Sequence, residues 1–324
     1  MNPTAQLDMM GSAPAFVAVL RASRLVAATE ATVLIQGESG VGKELLARFI
    51  HETSRRVKGP FIPISCPALS ETLAESDLFG HTKGAFTGAI ARQDGRIAAA
   101  HNGTLFLDEV GDMPLSIQAK MLRFLENGEC QSLGQPQPQP VNVRVVAATN
   151  RDLATMVAAG QFRLDLFHRL QVVPLRLPPL RERGRDVELL ANAFLTFFAT
   201  RYAMAAPVFS RAAMGLLRHY SWPGNIRELR NLCERGTIFH AGQEIGEGFV
   251  QAQLPLHPHP AVPDQTAPDF TPFLPNNGLS LDLLERDLIR AALDRTHGNR
   301  THAAKLLDLS RDTLLYRMKK HALR

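Results

Sequence analysis

The chain has 324 residues, 45% of them apolar and 21% charged, with a formal net charge of +5. These are the proportions of a soluble globular protein, and no apolar run reaches the roughly 18–20 residues that a membrane-spanning helix needs. The length accommodates two domains, or one large domain with a small companion.

The N-terminus, MNPTAQLDMMGSAPAF, lacks the basic start and apolar core of an export signal. Cys66, Cys130 and Cys233 are far apart and show no metal-ligand spacing, so they read as reduced, buried thiols of a cytoplasmic protein. The charge is uneven. From Ser280 to Arg324 ten Lys/Arg face six Asp/Glu, which leaves only about +1 for the rest. The C-terminal end is therefore the candidate nucleic-acid contact.

Phe16, Leu20, Leu25 and Val26 predict a helix over about 12–29. The β-branched run Thr32–Ile35 predicts a buried strand, which feeds into Gly37-Glu38-Ser39-Gly40-Val41-Gly42-Lys43-Glu44 and then the helical Leu45–Ile50. Strand, Gly-x-x-x-x-Gly-Lys and helix together make a phosphate-binding loop. Its glycines let backbone N–H groups turn inward, the helix N-terminus adds partial positive charge, and Lys43 reaches the terminal phosphates. Glu44 stands where Ser or Thr would contact Mg²⁺, and a carboxylate suits both a helix start and a metal site.

A second strand at Phe61–Ser65 and an acidic helical segment through Glu71, Glu75 and Asp77 lead to Gly84-Ala85-Phe86-Thr87-Gly88-Ala89. Glycines at both ends predict a mobile loop. Phe86 has two readings there, a plug into the core or a protruding contact for a partner. Next, Thr104–Leu107 is an apolar strand ending in Asp108 and Glu109. Beside a phosphate loop, Asp108 would hold Mg²⁺, directly or through water, and Glu109 would polarise the attacking water.

A helix is expected from Pro114 to about Asn127, then a Pro/Gln-rich surface loop at 131–140 and a buried strand over Val143–Ala148. Thr149-Asn150 at that strand's tip is either a γ-phosphate reader or a plain turn. Arg163 and Arg169, about 600° apart on a helix, are either solvated or a source of transition-state charge neutralisation, often supplied by a neighbouring subunit. Leu177–Arg183 reads as a rigid connector. Helices follow at about 186–202, 210–219 and 225–239, the last carrying Arg227 in its first turn.

Prolines 255, 258, 260, 263, 268, 272 and 275 mark a linker. A helix over about 281–296 precedes two short helices, 299–307 and 310–320, with Asp308-Leu309 as the turn and Ser310 as N-cap. This is a helix-turn-helix whose second helix suits the major groove. Arg300, Ser310, Arg311, Thr313, Tyr316, Arg317, Lys319 and Lys320 are its candidate DNA contacts.

These segments together resemble the sigma-54-dependent transcriptional activators, the bacterial enhancer-binding proteins. The likeness rests on GESGVGKE, ESDLFGH running into GAFTGA, GTLFLDEV, VRVVAATNRDL, LPPLRER and SWPGNIREL. It implies an α/β fold: a AAA+ P-loop parallel sheet flanked by helices with a helical lid, plus a C-terminal all-α Fis-type helix-turn-helix. The expected boundaries are 1–250 for the ATPase domain with its lid from about 180, 251–279 for the linker, and 280–324 for the DNA-binding domain.

By that resemblance Asp108 and Glu109 are the Walker B pair, Thr149 and Asn150 sensor I, Arg163 and Arg169 the trans-acting fingers, and Arg227 the sensor II arginine. It also implies ATP and Mg²⁺ as ligands and a ring, usually a hexamer, that hydrolyses ATP. The GAFTGA loop would engage sigma-54 on RNA polymerase, and the C-terminal domain would bind upstream double-stranded DNA. Ser65 stands where many members place an Asn that pairs with the Walker B glutamate, and a serine hydroxyl is shorter. Asp308 takes a turn position where Gly is common. The resemblance is to the single-component members, in which no receiver or other sensory segment is expected before the ATPase and control comes from a separate inhibitor or partner protein. The rival readings are a DNA-binding regulator that uses ATP only to oligomerise, independent of sigma-54, and a generic AAA+ remodelling enzyme. The intact GAFTGA weighs against the first and the tethered helix-turn-helix against the second.

Overall fold

The computed structural model of the chain describes residues 9–68, 74–86, 88–254, 281–296, 298–307 and 309–321. The chain divides into two compact units, Met1–His257 and Pro258–Arg324.

The first unit is built on five parallel strands: β1 (Val33–Gln36), β2 (Phe61–Ser65), β3 (Thr104–Asp108), β4 (Arg144–Thr149) and β5 (Val173–Arg176). Their order across the sheet is β2-β3-β4-β1-β5. Leu107 pairs with both Ile64 and Ala147, and Ala147 with Leu34, so apolar residues line up across the middle of the sheet. Parallel strands are covered on both faces, which is why β1, β3 and β4 read as unbroken apolar runs. One face packs Leu34, Leu105, Leu107 and Ala147 onto Ile117, Met121 and Leu166. The other packs Val33, Ile35, Phe106 and Val146 onto Phe16, Leu46 and Ile50. Each fully buried Val, Leu, Ile, Phe or Met side chain among them contributes about 1.5–3 kcal/mol.

Helix α1 (Pro14–Ala27) has proline in its first turn, where the missing N–H is harmless. Helix α2 (Lys43–Glu52) follows the phosphate loop, and α3 (Leu115–Asn127) ends at Gly128 in the left-handed conformation. The short α4 (Leu164–Leu170) precedes β5.

Beyond the sheet, α5 (Asp186–Tyr202), α6 (Arg211–His219) and α7 (Asn225–Phe239) enclose a separate core of Leu190, Phe194, Phe198, Leu217, Trp222 and Leu229. This is the helical lid. It is tied to the start of the unit by the fully buried pair Arg183–Asp186 (3.0 Å). Asp186 accepts from the amide and hydroxyl of Ser12 (2.7 and 2.9 Å), and the Arg183 guanidinium lies 3.8 Å from the Phe16 ring centroid. Burial alone would raise the Asp186 carboxyl, but the Ser12 and Arg183 hydrogen bonds outweigh it and hold it low.

The helix Glu247–Gln253 carries into the first residues expected to be linker, and the linker from 255 on lies outside the described residues. In the second unit, α8 (Leu281–Arg295), α9 (Arg300–Leu306) and α10 (Arg311–Lys320) close on Ile289, Ala292, Ala303, Ala304, Leu314 and Met318. Asn299 caps α9, and Ser310 caps α10 by accepting from the Thr313 amide at 3.1 Å. Asp308 in the intervening turn lies outside the described residues.

Candidate nucleotide site and DNA-binding unit

The phosphate loop leaves the carboxyl end of β1, where open parallel sheets bind ligands. Gly40 (φ 77°) and Gly42 (φ 99°) occupy left-handed backbone that only glycine adopts cheaply. At Gly40 a Cβ would also stand 2.3 Å from the Gly224 carbonyl oxygen. The loop is thus both turned inward and pressed against the lid. Lys43, almost wholly buried, donates to the carbonyls of Gly37 (3.0 Å) and Glu38 (3.3 Å). Its third partner is Glu109. Glu44, in the first turn of α2, stands in the cleft wall and pairs with Arg48 at 3.4 Å.

Glu109 itself has left-handed backbone (φ 51°, ψ 54°), a strained choice for a non-glycine residue and one that recurs at functional sites. The turn aims its carboxylate at Lys43 Nζ (2.9 Å), while the Asn150 backbone N–H donates to its other oxygen (2.8 Å). The β3 and β4 tips are joined through this one side chain. Among the described residues no hydrogen bond joins Ser65 to Glu109, although Ser65 is in register with Asp108 on the neighbouring strand. Burial, and then the charge of Glu109, push the Asp108 carboxyl up from its ordinary value. Excess negative charge facing a cleft is what a divalent cation offsets, and one or two carboxylates plus phosphate oxygens suffice for Mg²⁺. Asp108 therefore fits the metal role expected of it.

The lid closes the other side. Arg227 Nη1 donates to Ser39 Oγ at 3.1 Å, and the Ile226 amide to the Gly40 carbonyl at 3.1 Å. The resulting cleft, about 440 Å³, is lined by Lys43, Asp108, Glu109, Arg227, Arg230 and Asn231 among others. Arg230 and Asn231 carry no motif of their own in the sequence. Their spacing of three and four from Arg227 on one helix is the signal that places them on the same face.

Arg163 and Arg169 do not line this cleft. Arg163 sits just before α4, its amide held by buried Gln118 (2.9 Å) and its guanidinium paired with Asp165 (2.8 Å). Arg169 donates to the Leu125 carbonyl (2.8 and 3.0 Å). Both side chains are on the surface.

In the GAFTGA loop, Gly84 N–H donates to the Ala89 carbonyl (2.9 Å) and Ala89 N–H to that of Phe86 (3.0 Å), closing a narrow neck. Thr87 lies outside the described residues. Phe86 is 38% exposed and turns its ring edge-on to His81 at 5.0 Å, so it is neither a core plug nor fully extended. His81 is itself fixed by Ser76 at 2.7 Å. The Pro/Gln-rich segment is more than a free surface loop: Leu133 exchanges backbone hydrogen bonds with Thr82 and Gly80 (both 2.9 Å) at the loop's base.

In the second unit, the eight candidate DNA contacts divide. Arg317 pairs with Glu285, and Lys320 with Asp282 and Glu285, so both are drawn onto α8. His321 also reaches Glu285 (2.8 Å), and these contacts, His321 first, hold that carboxyl low. Asp282, Glu285 and His321 lie close enough to share a cation, but Arg317 and Lys320 already neutralise them. Arg300, Ser310, Arg311, Tyr316 and Lys319 stay exposed, Tyr316 at 72%, with Thr313 half-buried.

A parallel sheet in this order, a phosphate loop, a carboxylate pair at the end of β3 and a helical lid define the first unit as a AAA+ P-loop nucleotide hydrolase domain. Residues 9–176 match the Sigma-54 interaction domain, 181–265 the AAA+ ATPase lid domain, and 280–321 the Fis family of bacterial regulatory proteins. The chain belongs to the sigma-54-dependent AAA+ transcriptional activators with a Fis-type DNA-binding domain. It is 47% identical over 317 residues to the transcriptional regulatory protein ZraR of Klebsiella oxytoca, covering 98% of this chain and 70% of that one. With the regulatory protein AtoC of Escherichia coli (strain K12) it shares 44% over 315 residues, 97% of this chain and 68% of the relative. NtrX from Brucella abortus, solved in complex with ATP, superposes with a TM-score of 0.70 at 32% identity, covering 96% of this chain and 68% of that chain. Among the described residues no helix is long and apolar enough to cross a membrane.

Proposed function

We propose that this chain binds ATP between the phosphate loop and α7, hydrolyses it in a ring of subunits, and spends the cycle on moving the GAFTGA loop against sigma-54. The observation that carries the reading is the meeting of Lys43, Asp108, Glu109 and Asn150 at the ends of adjacent strands, under an arginine from the lid. Lys43 and the loop amides bind the phosphates, and Arg227 closes over them. Glu109 orients and polarises the attacking water, with the Asn150 backbone N–H holding the other carboxylate oxygen. Mg²⁺ at Asp108 would neutralise charge on the phosphates.

Arg163 and Arg169, on the surface and away from their own cleft, are suited to reach a neighbouring subunit's nucleotide. That makes the site incomplete in one copy and a homo-hexameric ring its natural setting. The GAFTGA loop is the contact for sigma-54 on RNA polymerase, and α10 places the assembly on upstream double-stranded DNA. A separate inhibitor or co-activator protein would fit as the controlling partner.

Transcription in vitro tests this. The chain should drive ATP-dependent open-complex formation by the sigma-54 polymerase and not by the housekeeping polymerase. Phe86→Ala should abolish it while ATP hydrolysis continues. Activation that survives Phe86→Ala overturns the assigned role of the loop.

A further inference from the structure

We propose that Glu38, within the phosphate loop, is a positioning residue: it is the strut by which that loop carries the lid, and so sets where Arg227 stands over the cleft. The inference rests on reading the cleft as an ATP site. Glu38 is not among the residues that line the cleft. Its carboxylate turns to the connector, where Arg181 Nη1 and Nη2 donate to Oε2 (2.8 Å) and Oε1 (2.5 Å). Such a two-pronged pair fixes orientation as well as distance. A third donor, Asn225 Nδ2, reaches Oε2 at 3.1 Å.

Asn225 explains why the contact governs the lid. It is fully buried, begins α7, and has left-handed backbone (φ 50°), which Asn tolerates better than most residues. Its amide is used at both ends: Oδ1 accepts from the Leu180 amide (2.8 Å), and Nδ2 donates to the Ser39 carbonyl (3.0 Å) as well as to Glu38. Phosphate loop, connector and lid helix therefore converge on one carboxylate and one amide. Arg227 is two residues further along the same helix.

The pairing also has an electrostatic consequence. A carboxylate in a phosphate-binding loop repels the ligand unless its charge is offset, and Arg181 offsets it. The Arg181 hydrogen bonds, against the effect of burial, hold the Glu38 carboxyl low. Removing Glu38 loses only the strut, whereas removing Arg181 loses the strut and leaves the Glu38 charge in the phosphate loop without its guanidinium partner. The two losses are therefore unequal and not independent.

The test uses the full chain and titration with a fluorescent ATP analogue. Glu38→Gln should weaken binding about 3-fold and Arg181→Gln about 10-fold, with the double variant returning to about 3-fold instead of the ~30-fold of independent effects. Spin labels at the exposed positions 25 and 239, introduced as Leu25→Cys and Phe239→Cys, report lid position. Their distance distribution should broaden in Glu38→Gln while the thermal midpoint stays near that of the parent. Multiplying effects in the double variant, or an unchanged distribution, would overturn the strut. A parent protein that fails to bind nucleotide would instead overturn the ATP site, and the strut with it.

Discussion

Lys43 Nζ lies 2.9 Å from a Glu109 oxygen, so the cation meant for phosphate and the carboxylate meant for water already face each other across the cleft. Each holds the other's orientation, and the two should nonetheless separate in function. Lys43→Ala should weaken ATP binding at least about 10-fold, since a charge-assisted contact to the phosphates is lost. Glu109→Gln should leave binding within a small factor and lower turnover by about 10²–10⁴, the usual contribution of a positioned general base. Equilibrium titration beside steady-state hydrolysis separates these outcomes. A Gln variant with normal turnover removes Glu109 from the chemistry.

The surface arginines should act between subunits. Arg163→Ala and Arg169→Ala are each expected to keep ATP affinity and lose about 10³-fold or more in turnover. Mixing Arg163→Ala protein with Lys43→Ala protein should restore part of the activity, because an intact cleft can then sit against an intact arginine. If mixing restores nothing while each variant still assembles, Arg163 acts within its own chain.

Acid should loosen the lid through Asp186. Its carboxyl is held below the ordinary 3.8, so its stabilising contribution is complete above that pH and falls away as the pH drops through the lowered folded value. Asp186→Asn leaves Arg183 buried and unpaired at neutral pH, at a cost of about 3–5 kcal/mol. The thermal midpoint of the parent should fall steeply below pH ~4, whereas the variant starts low and changes less. Parallel curves would show that other carboxylates govern acid unfolding.

On α10, outward and inward cations should behave differently. Lys319→Ala should lower DNA affinity and reduce the salt slope by about one. Tyr316→Ala should lower affinity for the preferred site more than for random DNA. Arg317→Gln should lower the melting midpoint of the C-terminal unit, and Glu285→Gln should lower it further because Glu285 also holds Lys320 and His321, with DNA affinity little altered in both. Fluorescence anisotropy at several salt concentrations checks the DNA affinities and thermal melting the midpoints, and a salt slope that changes with Arg317→Gln would place that arginine on the phosphates.

Much of this was legible in the chain. The runs Val33–Ile35, Thr104–Leu107 and Val145–Ala148 are apolar because parallel strands are buried on both faces, and Gly40, Gly42 and Lys43 admit few alternatives once they stand between a strand and a helix. Asn225–Phe239 and the Ser310 cap were equally plain, since helix ends depend on local chemistry.

The partners of those residues were not legible, because they come from distant parts of the sequence. Only the folded chain brings Arg181 and Asn225 onto Glu38, Asp186 onto Ser12, and Leu133 onto Thr82. Only there does Glu109 find Lys43 and the Asn150 amide, with no hydrogen bond from Ser65 among the described residues. Likewise Arg311, Arg317, Lys319 and Lys320 stand alike in the sequence as candidate DNA contacts, and only packing pairs Arg317 and Lys320 with carboxylates of α8. Local sequence determined which residues can hold phosphate, polarise water or read DNA. The tertiary structure decided which of them are free to do so, because a charged side chain takes the nearest opposite charge that the fold provides.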